Sequence, residues 1–230
     1  MNEDQITAIL TDLSEVVGKP TRLRVSPAVW EPNARLEARQ VGQVPVIHLT
    51  GGLLGAFLGR SDEQTALASI MAHELGHLVA GDHREVALPI RLIGVVITST
   101  LLTLSLALHG MGPAVLLLTP LLAFLCGGLV VVADVVRCRR AENRADEFAR
   151  NLIGEAPLIV AALRAIDEYE ALLMAYRAVT RRPEGPAPST QELRVRLASL
   201  GLSPTPLRVN RSFWSSHPST QERSDRLMAA

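Results

Sequence analysis

From Leu92 to Ala133 the chain contains no Asp, Glu, Lys or Arg. Such a run supports two apolar helices of roughly 20 residues each, and His109-Gly110-Met111-Gly112-Pro113 supplies the turn between them. A buried hairpin in a soluble core would keep a polar stripe on each helix, and neither half has the charges to form one. The run is therefore read as a transmembrane helical hairpin. Arg84 and Arg91 precede it and Arg137, Arg139 and Arg140 follow it, whereas the turn carries no Lys or Arg. By the positive-inside rule both flanks then face the cytoplasm.

With 230 residues in all, the hairpin leaves room for one further domain and one active site. The formal charge is zero and no long run of one sign occurs, so nucleic acid is not an expected partner. Cys126 and Cys138 show neither CxxC spacing nor the density of a disulfide scaffold, which points to a reducing environment. Met1-Asn2-Glu3-Asp4-Gln5 is acidic and unlike the basic start of a signal peptide, so the first segment is expected to stay cytosolic.

Around the hairpin the pattern is that of a mainly α protein with a small β-sheet, an α+β fold. Ile6, Ile9, Leu10, Leu13 and Val17 recur at helical spacing, with Gly18 and Pro20 ending the helix. Thr21 to Val25 and Val44 to Thr50 are β-prone, which predicts two strands, the second broken by Gly51-Gly52 and exposed as an edge to which an extended peptide can add. Ser61-Asp62-Glu63-Gln64 has the form of a capping box, predicting a helix through to Ala80. Ala156 to Arg177 reads as a further amphipathic helix, and Arg182 to Ser189 as a loop.

The predicted helix ending at Ala80 carries His73-Glu74-Leu75-Gly76-His77. Residues four apart share a helical face, so both imidazoles can point at one metal ion with Glu74 beside it. This five-residue pattern also occurs on helices with two ordinary histidines, and a third donor is needed to separate the cases. His83 has the spacing of the third histidine in the metzincin pattern HExxHxxGxxH, although the glycine is displaced to Gly81. Glu142 is the other candidate, with Asp146 one turn on along the same face. On residue chemistry alone these two acids could equally pair with nearby arginines on a solvated helix.

HELGH, an apolar hairpin, an ExxxD helix, and then His217-Pro218 with Glu222-Arg223 occur in that order, and together they resemble the M48 metalloprotease family. The family includes heat-shock membrane proteases and CaaX-processing proteases. The resemblance extends back through Asn33-Ala34 and the strand before the histidine helix, so it covers most of the chain. It implies a zincin-like catalytic domain interrupted by the hairpin: residues 1–85 with the HExxH helix, 86–136 as the hairpin, and 137–230 with the ExxxD helix and the HPxxxER tail. It further implies one Zn2+ per chain held by His73, His77 and Glu142, with Glu74 as general base and Asp146 orienting a ligand histidine. His217 is expected near the metal, where it can hydrogen-bond an oxyanion, and Arg223 is expected to reach back to a carboxylate at the site.

The expected function is thus that of a membrane-anchored zinc metalloendopeptidase, hydrolysing peptide bonds by a zinc-activated water. Its substrates would be membrane or misfolded polypeptides in protein quality control, met at the cytosolic face of a bacterial plasma membrane. The competing expectations are a metzincin-like protease using His83 and a non-catalytic membrane adaptor of protease-like fold.

Overall fold

The computed structural model describes residues 2–37, 43–82, 88–110, 112–180, 185–202 and 218–229. In chain order its elements are α1 (Glu3–Val17), β1 (Arg22–Ser26), β2 (Ala34–Glu37), β3 (Val46–Thr50), α2 (Gly51–Phe57), α3 (Glu63–Ala80), α4 (Leu88–Leu108), α5 (Pro113–Ile153), α6 (Ala156–Val179), α7 (Thr190–Ser199) and α8 (Thr220–Ala229). Among the described residues the protein is mainly helical with one three-stranded sheet, an α+β fold. Two compact units divide it. The first gathers α1, the sheet, α2, α3, the polar end of α5, α6, α7 and α8; the second is α4 with the apolar part of α5.

In the first unit, α1 opens with a reciprocal capping box between Asn2 and Gln5 and closes on Gly18 in the left-handed conformation. It buries Ile6 and Leu10 as its spacing predicts. The sheet order is β1-β3-β2, with β1 parallel and β2 antiparallel to β3. This corrects two sequence expectations. The sheet has a third strand, and the Val44 to Thr50 stretch supplies its central strand, not an exposed edge. Ala34-Arg35-Leu36-Glu37 is short and half charged, so it has no strand signal of its own; its alternation gains meaning only once it pairs with β3.

Gly51-Gly52 ends β3 as expected, but it does so as the first turn of α2. A Cβ at Gly52 would lie 2.0 Å from the Trp30 carbonyl oxygen, and one at Gly51 would lie 2.2 Å from that of Pro27. Only glycine lets these backbones approach so closely. Thr50 fixes the corner: its hydroxyl donates to the Glu31 carbonyl at 2.6 Å and accepts from the Leu53 amide at 3.4 Å. The capping box expected at Ser61 does not form. Asp62 is the N-cap of α3 but makes no side-chain capping bond, because its carboxylate is held by Arg60 at 2.8 Å.

In the second unit the hairpin falls where the charge-free run predicts, with α4 ending at Leu108 and α5 beginning at Pro113. No break separates the apolar run from the ExxxD segment, since α5 is one continuous helix of 41 residues. The stretch Leu118–Ile153 contains an 18-residue window of mean hydropathy 2.2, of which only 6% is buried. Phe124, Leu125 and Leu129 are exposed there, as are Ile93, Val96 and Leu101 on α4. A core helix of a soluble protein hides such a face; this one is long and apolar enough to cross a membrane.

Among its described residues the first unit has two apolar clusters. The larger joins α1, β3, α2, α3, α6 and α7 through residues such as Leu10, Leu49, Phe57, Met71, Tyr169 and Leu193. The smaller one, of Ala72, Ala149, Ile159, Val160, Leu163 and Leu227, ties α3, α5, α6 and α8 together. Ala72 immediately precedes His73, Ala149 lies one turn beyond Asp146, and Leu227 follows Arg226. Three of the four helices it ties together therefore carry the polar residues of the candidate site.

Gly52→Ala is expected to destabilise the protein by about 1–3 kcal/mol, the usual cost of forcing atoms into a filled space. Denaturant unfolding compared with wild type checks this; an unchanged midpoint would mean the Trp30 carbonyl can move aside.

Candidate metal centre

The two histidines come from the middle of α3, where His73 and Glu74 are buried and His77 is half-buried. α5 passes directly across this turn. A Cβ on Gly76 would stand 2.9 Å from Ala145 Cα and 3.2 Å from the Ala145 carbonyl oxygen, so the glycine inside the motif sets how near the two helices come. Ala141, Ala145 and Ala149 form the small face that α5 offers in return, each buried. Glu142 and Asp146, four residues apart, then point into the junction from one face of α5.

His73 Nε2 lies 3.4 Å from Glu142 Oε2 and 3.2 Å from His77 Nε2, while His77 Nε2 is 3.7 Å from Glu142 Oε1. Four donors arranged tetrahedrally at about 2.0–2.1 Å from one centre stand roughly 3.3 Å apart. The observed spacings match that pattern, and one ligand atom from each of the three residues lies within 4.8 Å of the others. Two imidazoles and one carboxylate, with a position left for water, are a donor set suited to zinc. The residues present fit the ion.

Each histidine is aimed by a carboxylate on its far nitrogen. His73 Nδ1 lies 3.0 Å from Asp146 Oδ1, and His77 Nδ1 lies 3.4 Å from Asp82 Oδ2. In the neutral form of each ring, the acceptor at Nδ1 keeps the proton there and leaves the Nε2 lone pairs facing each other and Glu142, the form that can take a metal.

Asp146 is the most buried of these acids, with a side chain 1% exposed. Arg223 binds both of its oxygens, through Nε at 2.9 Å and through Nη2, and Arg226 Nη2 adds a third contact at 2.6 Å. Arg226 also donates to Asn143. Arg223 Nη1 reaches within 3.9 Å of Glu142, and its charge also feels Glu74.

Burial opposes a charge on His73, but its hydrogen bonds with Asp146 and Glu142 outweigh that effect and push its pKa up to about 9 in the metal-free protein. Burial likewise works against the Asp146 carboxylate, yet the hydrogen bonds from His73 and Arg223 prevail and hold it at about 2.

Of the residues singled out from sequence, the structure brings His73, Glu74, His77, Glu142, Asp146 and Arg223 into one junction. His83 and His217 lie outside the described residues. Sequence reasoning missed Asp82, Arg144 and Arg226. Arg226 was legible in principle, since it stands three residues after Arg223 and so shares its helical face. Asp82 was not, because its position depends on Gly81, which ends α3 with φ 74.

A helical α+β protein with two histidines on one helix, a glutamate on another and a carboxylate between the histidines is built like a metallopeptidase of the HExxH–glutamate type. Residues 2–230 match Peptidase family M48. The chain belongs to that family, and so to a class of metal-dependent peptidases. Searches of the curated proteins and of the solved structures found no match.

The shifted groups predict how the metal-free protein responds to pH. His73, raised from 6.5 to about 9, contributes stability that is complete below about pH 6.5 and is lost as the pH rises through 9. Asp146, lowered from 3.8 to about 2, contributes stability present above about pH 3.8 and lost as the pH falls through 2. Denaturant unfolding of chelator-treated protein across this range should decline on both sides, and His73→Gln should flatten the alkaline side. An alkaline decline identical in that variant would place its cause elsewhere.

Proposed function

We propose that the chain is a membrane-anchored zinc metalloendopeptidase, with residues 1–85 and 137–230 forming the catalytic part and 86–136 a transmembrane hairpin. The observation that carries this reading is the convergence of His73 Nε2, His77 Nε2 and a Glu142 oxygen at the mutual spacing of metal donors, beside Glu74, in a member of family M48. The large exposed apolar side chains of α4 and α5 support the anchor.

A zinc ion held by His73, His77 and Glu142 would polarise a peptide carbonyl and bring the acidity of water into the neutral range. Glu74 then takes the proton from the attacking water and passes it to the departing amine, acting as base and afterwards as acid. No acyl-enzyme is needed. Asp146 keeps the His73 proton on Nδ1, and the buried guanidinium of Arg223 keeps Asp146 charged and fixed. From the tail motif, His217 would donate a hydrogen bond to the oxyanion of the tetrahedral intermediate.

An extended substrate would lie along β2. This strand packs beside α3, and among the described residues it pairs with β3 alone. Its second side is the sheet edge nearest the motif helix, suited to taking on a further strand through backbone hydrogen bonds. Substrates would be membrane-associated or misfolded polypeptides met at the cytosolic face of a bacterial plasma membrane.

Detergent-purified protein is expected to carry one zinc per chain and to cleave casein. Glu74→Gln should retain zinc while turnover falls by about 100-fold or more, the usual scale for loss of a general base. Glu142→Gln should lose both zinc and cleavage. Absence of zinc together with cleavage indifferent to both substitutions would point to a non-catalytic adaptor.

The anchor has its own test. The full chain should stay with the membrane pellet after an alkaline carbonate wash and be released only by detergent. Release by carbonate would mean the hairpin lies against another protein surface.

A further inference from the structure

We infer that Asp82, held by Arg144, is a positioning residue for His77: a second carboxylate brace that fixes the ring of the second histidine as Asp146 fixes the first. The inference rests on the metal centre proposed above. Gly81 closes α3 in the left-handed conformation, and the turn brings the next residue back beside His77. The two oxygens of Asp82 then divide their partners. Oδ2 stands 3.4 Å from His77 Nδ1, and Oδ1 accepts from Arg144 Nη2 at 2.6 Å.

A neutral imidazole has one ring proton, and the acceptor beside Nδ1 decides where it sits. Without Asp82 the ring could carry its proton on Nε2 or turn about its Cβ–Cγ bond, and either change removes a lone pair from the metal position. Arg144 ties this brace to the third donor. It stands two residues after Glu142 on α5, so one helical turn delivers both a ligand and the cation that holds the second histidine's partner. A simple surface ion pair would leave its acid in water; the Asp82 side chain is only 11% exposed although Arg144 is 52% exposed.

The test uses the full chain in detergent with the variants Asp82→Ala, Asp82→Asn and Arg144→Gln. Zinc affinity is read by competition with a chromophoric chelator, and cobalt(II) is added in parallel because its visible bands report donor geometry. Asp82→Ala should weaken zinc binding by about 10- to 100-fold, the range for losing a ligand's supporting partner, and should change the cobalt bands. Asp82→Asn, whose amide oxygen still accepts from Nδ1–H, should recover most of the affinity, and Arg144→Gln should weaken binding less than Asp82→Ala does. Thermal unfolding of the metal-free variants separates loss of aim from loss of fold, and if Asp82→Ala does not fold, the other two variants decide. Wild-type affinity and wild-type cobalt bands in all folded variants would overturn the brace alone. Failure of the wild-type chain to bind either ion would overturn the metal centre and the brace together.

Discussion

The buried carboxylate of Asp146 is the contact on which the junction depends. It belongs to α5, it accepts from a histidine on α3, and two arginines of α8 close on it from the other side. An acid this deeply placed is unfavourable unless nearly every lone pair is used, and here three cationic or polar partners use them. Removing it would strand Arg223, whose side chain is 12% exposed, without its main counter-charge. α8 also relies on it. A helix of 10 residues does not hold its shape in water alone; Leu227 in the smaller apolar cluster and the two arginines on Asp146 give it a docking site.

The packing around that contact explains why the donors meet without a loop to carry them. Gly76 and Ala145 let α3 and α5 run almost backbone to backbone, a separation at which short acidic side chains span the gap directly. Larger residues at either position would part the helices, and the Glu142 oxygens would no longer reach both imidazoles. The motif glycine is therefore as much a part of the donor geometry as the histidines are, though it offers no ligand atom.

Much of this was legible in the sequence because its causes are local. The charge-free run gave the hairpin and its turn at His109 to Pro113, and the i, i+4 spacings gave His73 with His77 and Glu142 with Asp146. What was not legible depended on partners far along the chain. β2 became a strand only through its pairing with β3, and the central place of β3 in the sheet followed from that. The Ser61 box failed because α3 starts one residue later, on Asp62, whose carboxylate is taken by Arg60. Asp82 reached His77 only through the handedness of one glycine, a feature that spacing does not reveal.

The charges of the junction also account for the state His73 takes when no ion is bound. Asp146 stands at its Nδ1 and Glu142 at its Nε2, while the charge of Arg223 lies close by on the same acids. Burial and the charge of Arg223 oppose a proton on His73, but a doubly protonated ring has a carboxylate at each nitrogen, and those two hydrogen bonds push its pKa up to about 9. The same arrangement favours a dication, because the Glu142 carboxylate stands where the donor atoms of both imidazoles converge. The proton on His73 thus stands in for the metal, and the two compete for one nitrogen.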